Sequence, residues 1–217
     1  RGTSKLSSMR GERDTERALM SRSPSLGAIF LTIFLDLLGF GLVLPFLADE
    51  ARAAFGVSTF VGSLLASIYS LMQFLFVPVG GRVSDRVGRR PVLIWSIGAT
   101  ALGMSGLGFA LIFGSSVAWL FVARAFSGMA TANLGVASAY IADVTSPEDR
   151  ARGMGLIGMA FGLGFILGPA VGGSLAEISI LGHHGAVPCF VAGALSLLNL
   201  LWAIFGLGES LAPEKRS

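Results

Sequence analysis

The chain has 217 residues, of which 53% are hydrophobic and 13% are charged, with a formal net charge of +3. Soluble domains carry about 25% charged residues, so this composition excludes an ordinary soluble domain and indicates a protein that crosses a membrane several times. The single Cys189 excludes a disulfide framework, and no acidic cluster joins the adjacent His183 and His184 in a zinc site. With no phosphate-binding loop visible, neither ATP nor a metal or other cofactor is expected.

Six apolar stretches are each long enough to cross a hydrocarbon core of about 30 Å as a helix. They lack the strict alternation of lipid-facing barrel strands. The sequence therefore predicts an all-α membrane protein with a polar cytoplasmic tail, a six-span domain and the start of a polar loop, over residues 1–25, 26–207 and 208–217. The predicted spans cover residues 26–47, 58–79, 92–113, 117–140, 153–175 and 186–207.

Basic residues are concentrated on one side of these spans. If the amino terminus is cytoplasmic, 14 of the 16 Lys and Arg residues lie in the tail or in the segments 80–91, 141–152 and 208–217. Arg52 is then the one basic residue in the outer loops, and Arg124 lies inside the fourth span. The positive-inside rule accordingly predicts that both ends of the chain face the cytoplasm. Nucleic acid binding is not needed to explain the basic charge.

The segment between the second and third spans has an ordered pattern of glycine and charge. It contains Gly81, Asp85, Arg86, Gly88, Arg89 and Arg90 in the order Gly-x-x-x-Asp-Arg-x-Gly-Arg-Arg. This pattern resembles the signature loop between helices 2 and 3 of the major facilitator superfamily. The two glycines are expected to allow a tight turn and close approach of helices.

Other motifs resemble the same family in the same order, and in particular its drug/proton antiporters of the tetracycline-efflux type. They span about residues 26–207 and are Asp36-x-x-Gly39-x-Gly41-x-x-x-Pro45, Arg124-x-x-x-Gly128, Tyr140-Ile-Ala-Asp143 and Gly164-x-x-x-Gly168-Pro169-x-x-Gly172-Gly173. The resemblance implies the amino-terminal six-helix half of a twelve-span fold, with the transport site between two halves. The sequence is then expected to be part of a longer protein, a truncated product, or a chain that pairs with a second copy or another chain.

The resemblance implies roles for the charged loop and for the glycine motif of the fifth span. Asp85, Arg86, Arg89 and Asp143 are expected to form a charged latch that holds one conformation, although a static topology anchor would explain the same charges. Small residues every fourth position let helices approach closely, and Pro169 permits a bend. In antiporters of this family the motif is associated with sealing against substrate leak.

Asp36 and Arg124 are ionisable residues inside predicted spans, and such residues are costly to insert and usually functional. At 1.5 Å per residue they lie roughly 15 and 20 Å from the cytoplasmic face, so they could meet within about a turn. We predict that Asp36 carries the coupling proton and that Arg124 modulates it or contacts substrate; a purely structural ion pair is the alternative. Further candidate substrate contacts are Tyr69, Gln73 and Asn133.

The sequence thus predicts a multi-pass transporter of a bacterial inner membrane that exports drugs or other small amphipathic molecules in exchange for protons. The expected partners are the lipid bilayer, a small-molecule substrate and a second six-helix half. The alternatives are a facilitator or symporter for a nutrient, and a membrane partner protein that does not transport. An enzyme is not expected, because no set of nucleophile, base and orienting group is apparent.

Overall fold

The computed structural model describes residues 26–131, 133–212, 214 and 216. The predicted tail over residues 1–25 lies outside the described residues. Six segments of the described chain are long and apolar enough to cross a membrane, which confirms the predicted all-α fold. The helices are α1 Leu26–Val43, α2 Leu47–Phe55, α3 Thr59–Val87, α4 Arg89–Phe113, α5 Ala118–Ala130, α6 Asn133–Val144, α7 Arg150–Ala176 and α8 Ala186–Gly206.

The first span ends earlier than predicted. Helix α1 stops at Val43, and residues 44–46 form a turn that contains Pro45, which cannot donate the next helical hydrogen bond. A separate short helix, α2, follows and buries Leu47 and Ala51. The prediction of a single helix over 26–47 is therefore wrong at its carboxyl end, where the chain forms an amphipathic helix instead.

The segment between the second and third spans is helical almost throughout, which corrects the predicted loop. Helix α3 continues to Val87 and α4 begins at Arg89, so Gly88 alone forms the turn. Its φ of 109° lies in a region that L-residues rarely adopt, which explains glycine there. Gly81 instead lies within α3, and no atom outside its own helix comes within 4 Å of where its Cβ would be.

The fourth predicted span is broken into two helices. Helix α5 ends at Ala130, where the Thr131 amide bonds the carbonyls of both Ser127 and Gly128 in a tightened last turn. Helix α6 begins at Asn133. Together they cover one membrane-length segment from Ala118 to Val144. The periodicity of apolar residues did not predict this break, because the apolar pattern continues on both sides of it.

Most of the spans pack tightly against one another, whereas α3 and α7 are more exposed. Helix α1 packs against α7 and α8, α4 packs against α8, and α3 packs against α5. One core cluster, around Leu42, Leu107 and Leu120, lies near α2, and the other surrounds Ile29, Leu93 and Tyr140. The end of the bundle with the second cluster also carries the described basic residues of α3, α4 and α7, and we call it the Arg-rich end. These residues are Arg82, Arg86, Arg89, Arg90, Arg150 and Arg152.

Candidate functional site

A cavity of about 450 Å³ opens between α1, α3, α6 and α7. Aromatic side chains from three helices lie along one wall: Phe40 is 4.9 Å from Tyr69 and 6.1 Å from Phe165, measured between ring centroids. Polar groups face the same space, and they include three predicted site residues, Asp36, Gln73 and Asn133. An apolar cavity with few polar groups is typical of a small-molecule site.

Asp36 is bound to the first residue of α6. The Asn133 amide Nδ2 donates to Asp36 Oδ2 at 2.5 Å, and both side chains are buried. Asn133 was predicted as a substrate contact, and the structure shows that its donor already binds a carboxylate. A hydrogen bond to a charged group is worth about 1.5–3 kcal/mol, so this contact helps to hold α1 against α6.

One interpretation of the sequence was a structural ion pair between Asp36 and Arg124. The structure does not contain this ion pair. Arg124 is fully buried, and its guanidinium carbon lies 5.5 Å from the centroid of the Tyr69 ring. None of its three side-chain nitrogens bonds a described protein group. Tyr69, which lines the cavity, in turn donates to Thr131 Oγ1 at 3.0 Å. Tyr69 therefore lies between the buried cation and the cavity, and a cation–π contact replaces the expected ion pair.

Three of the predicted latch residues meet at the Arg-rich end. The nearly buried Arg89 lies 2.6 Å from Asp85 Oδ1 through Nη1 and 3.2 Å from Asp143 Oδ2 through Nε. Its Nη1 also donates to Ser84 Oγ at 2.6 Å. Arg89 thus ties α3, α4 and α6 together, whereas Arg86 is exposed and forms no ion pair within the described chain.

Sequence reasoning missed Glu209 as a member of this cluster. Its carboxylate accepts from the Arg89 and Arg90 amides at 2.9 and 3.3 Å, where the macrodipole of α4 favours an anion. The Arg90 guanidinium also donates to the carbonyl of Ile204 at 2.7 Å. The predicted polar loop after the sixth span therefore begins by folding onto the cluster around Arg89. The only available signal was an acidic residue soon after the last apolar run.

The glycine motif of α7 packs directly against α1. A Cβ on Gly168 would lie 2.6 Å from Gly41 Cα, and one on Gly164 would lie 2.9 Å from Leu37 Cβ. Gly172 faces the backbone of Leu42 in the same way, whereas Gly173 makes only ordinary contact with the Phe46 ring. The predicted close approach therefore occurs, with α1 as the partner. Pro169 lies within α7.

A separate acidic contact lies at the opposite end of the bundle. Glu50 on α2 packs against Gly185, the residue that precedes α8 and adopts a φ of 74°. Burial raises the pKa of Glu50 above its ordinary value of 4.5. The nearby His184 opposes that rise, and the charge of Asp49 adds to it.

Comparisons with known proteins agree on one family. The family model described as Major Facilitator Superfamily matches residues 29–217. The class C tetracycline resistance protein of Escherichia coli is 42% identical over 202 residues, which cover 91% of this chain and 48% of that protein. Multidrug resistance protein 2 of Bacillus subtilis is 32% identical over 85% of this chain and 44% of its own length. The chain spans about half the length of these relatives.

A solved structure supports the same assignment. The crystal structure of the human organic anion transporter MFSD10 matches with a TM-score of 0.73 and 31% identity, over 88% of this chain and 49% of that one.

Proposed function

Because the chain belongs to the Major Facilitator Superfamily, we propose that it forms the amino-terminal half of a proton-coupled exporter of small amphipathic molecules. The observation that carries this proposal is the aromatic cavity with the Asp36 carboxylate in its wall. A carboxyl group inside a membrane protein is a typical proton carrier. The proton gradient is then the energy source, and no cofactor or enzymatic step is required.

The second half of the transporter is proposed to cover α3 and α7. These two spans are the least buried of the described chain and expose large apolar side chains, among them Phe60, Phe74, Phe165 and Ile166. The matched relatives are about twice as long as this chain, so the other half of such a protein has a suitable size to cover these two spans. That half would lie in the same protein or in a second chain, and it would close the open side of the cavity.

The multi-pass membrane character of the chain follows from its family and its six apolar helices. Within that frame we propose a bacterial inner membrane, with the Arg-rich end on the cytoplasmic side. The Arg89 cluster would then act as a latch on the cytoplasmic face, and α7 against α1 would limit leakage of substrate. Arg124, behind Tyr69, would adjust the electrostatic potential at the cavity rather than contact Asp36.

The relatives favour export over the alternatives. Their names refer to resistance to tetracycline and to several drugs, which suits an exporter better than a nutrient facilitator or symporter. A membrane partner protein that does not transport is likewise not favoured.

Transport in everted vesicles tests the proposal. The chain is expressed in efflux-deficient bacteria, alone and with the second half of the class C relative, and tetracycline accumulation is measured after the vesicle interior is acidified. We expect accumulation above that of empty vesicles, and loss of it when an uncoupler collapses the gradient. Accumulation equal to that of empty vesicles in both preparations would contradict the proposal.

A further inference from the structure

Three buried oxygen atoms on α1 and α8 receive no hydrogen bond from any described protein group. They are Oδ1 of Asp36, Oγ of Ser196 and Oδ1 of Asn199. The three residues expose 8%, 1% and 0% of their surfaces. A buried polar atom without a partner is costly, so each of these atoms requires a donor or an acceptor.

Two contacts between α1 and α8 set the register of these two helices. The Asn199 amide donates to the carbonyl of Thr32 at 2.9 Å. Further along, Gly39 lies against Ala192, whose carbonyl oxygen would be 3.6 Å from a Cβ on that glycine. The two helices therefore run antiparallel, and Ser196 lies on the face of α8 between these contacts, four residues from Ala192 and three from Asn199.

The matching face of α1 carries Asp36. It lies four residues after Thr32 and three before Gly39, so this residue belongs to the face of α1 that meets α8. Ser196 and Asp36 are consequently at one depth, with Asn199 one turn away. The second carboxylate oxygen, Oδ2, is already bound by Asn133 of α6.

We propose that one water molecule binds between α1 and α8 and joins Asp36 Oδ1, Ser196 Oγ and Asn199 Oδ1. Its two hydrogens are donated to the carboxylate oxygen and to the amide oxygen, and its own oxygen accepts from the Ser196 hydroxyl. All three unpaired groups are then satisfied by three hydrogen bonds, which is the number that a buried water typically makes.

With this water in place, the two carboxylate oxygens of Asp36 bind different partners. Oδ2 faces Asn133 in the wall of the cavity, and Oδ1 faces the water at the interface of α1 and α8. Ser196 and Asn199 are then positioning residues for the carboxylate. Their importance in proton exchange rests on the proposed function, whereas the water site itself does not.

Infrared difference spectroscopy of the full chain in lipid nanodiscs tests the site without measuring transport. Spectra recorded across a pH change in ordinary water and in H₂¹⁸O identify bands of bound water by their isotope shift. We expect a water band in the wild type that disappears in Ser196→Ala and changes in Asp36→Asn. Ser127→Ala is the matched control, because its buried hydroxyl already donates to the Ala123 carbonyl at 2.9 Å.

The outcomes separate this inference from the proposed function. A water band that is absent from the wild type, or identical in wild type, Ser196→Ala and Asp36→Asn, would overturn the site even if the chain supports transport. If Ser196→Ala does not fold, Asp36→Asn makes the same comparison, because it preserves the side-chain volume. A band that depends on both residues supports the water whether or not transport is observed.

Discussion

The Asn133 amide binds the Asp36 carboxylate at 2.5 Å, across the interface between α1 and α6. This contact lies at the start of α6, directly after the break in the fourth span. The break in the fourth span therefore lies next to the residue that donates a hydrogen bond to the buried Asp36. Arg124, another buried ionisable residue of the spans, lies instead against Tyr69.

Replacing Asn133 should destabilise the fold through Asp36. In Asn133→Leu the buried carboxylate oxygen loses its donor, and we expect a loss of about 1.5–3 kcal/mol in unfolding free energy. Thermal unfolding of the chain in detergent measures this, with the partly exposed Ser138→Ala as a control within the same helix. Equal stability of Asn133→Leu and wild type would show that the bond contributes nothing.

The cluster at the Arg-rich end should depend on Arg89 and not on Arg86. Arg89→Ala removes contacts to Asp85, Asp143 and Ser84 together, so we expect a loss of about 1–3 kcal/mol. The exposed Arg86→Ala should stay within about 0.5 kcal/mol of wild type, as surface substitutions usually do. Chemical denaturation compares the two variants. Similar losses in both would argue against a specific cluster around Arg89.

A methyl group at Gly168 should disrupt the contact between α7 and α1. In Gly168→Ala the new Cβ would meet Gly41 at a distance that no real contact adopts, so α7 must shift, at a cost of about 1–3 kcal/mol. Gly162→Ala is the matched control on the same helix, since no atom outside that helix lies within 4 Å of where its Cβ would be. Melting temperatures of the two variants test this prediction. A melting temperature of Gly168→Ala that is no lower than that of Gly162→Ala would contradict the packing described here.

The contact at the opposite end should weaken as pH rises. Burial raises the pKa of Glu50 in the folded chain, so folding favours the protonated carboxyl. The contribution of Glu50 to folding stability is fully present below its ordinary pKa of 4.5. It is lost as the pH rises through the raised pKa of the folded chain. Glu50→Gln should therefore remove part of the decrease in melting temperature that occurs as the pH rises above 4.5.

The exposed neighbour supplies the control for this experiment. Asp49→Asn changes an acid one residue away, whose side chain is 76% exposed and pairs with Arg52. It should reduce the contribution of Glu50 only slightly, because burial, and not the charge of Asp49, is the main cause of the raised pKa of Glu50. If both variants flatten the pH profile equally, the dependence does not come from the contact of Glu50 with Gly185.

The sequence predicted the spans and the motifs well because both depend on local patterns. Apolar length predicted six membrane segments, and the spacing of Gly164, Gly168 and Gly172 predicted a close helix contact. The meeting of Asp85, Arg89 and Asp143 was also expected, since the family resemblance joins segments that lie far apart in the chain. The roles of these residues in transport stay predictions.

Other features depend on contacts that a sequence pattern does not reveal. The break at Thr131 is hidden because the apolar period continues on both sides, although threonine and asparagine are weak helix formers. The short α2 follows from a turn at Pro45, and a charged sequence such as that around Glu50 gives little indication of a buried face. Glu209 could not be placed, because its partners are backbone amides at the far end of another helix.

The most direct test of Asp36 as the proton carrier measures proton movement on addition of drug. In everted vesicles that hold a pH gradient, tetracycline should partly dissipate the gradient when the chain and a second half are present. Asp36→Asn should abolish this response and still allow exchange of labelled for unlabelled drug, because exchange needs no proton. Dissipation of the gradient by Asp36→Asn to the same extent as wild type would contradict the account.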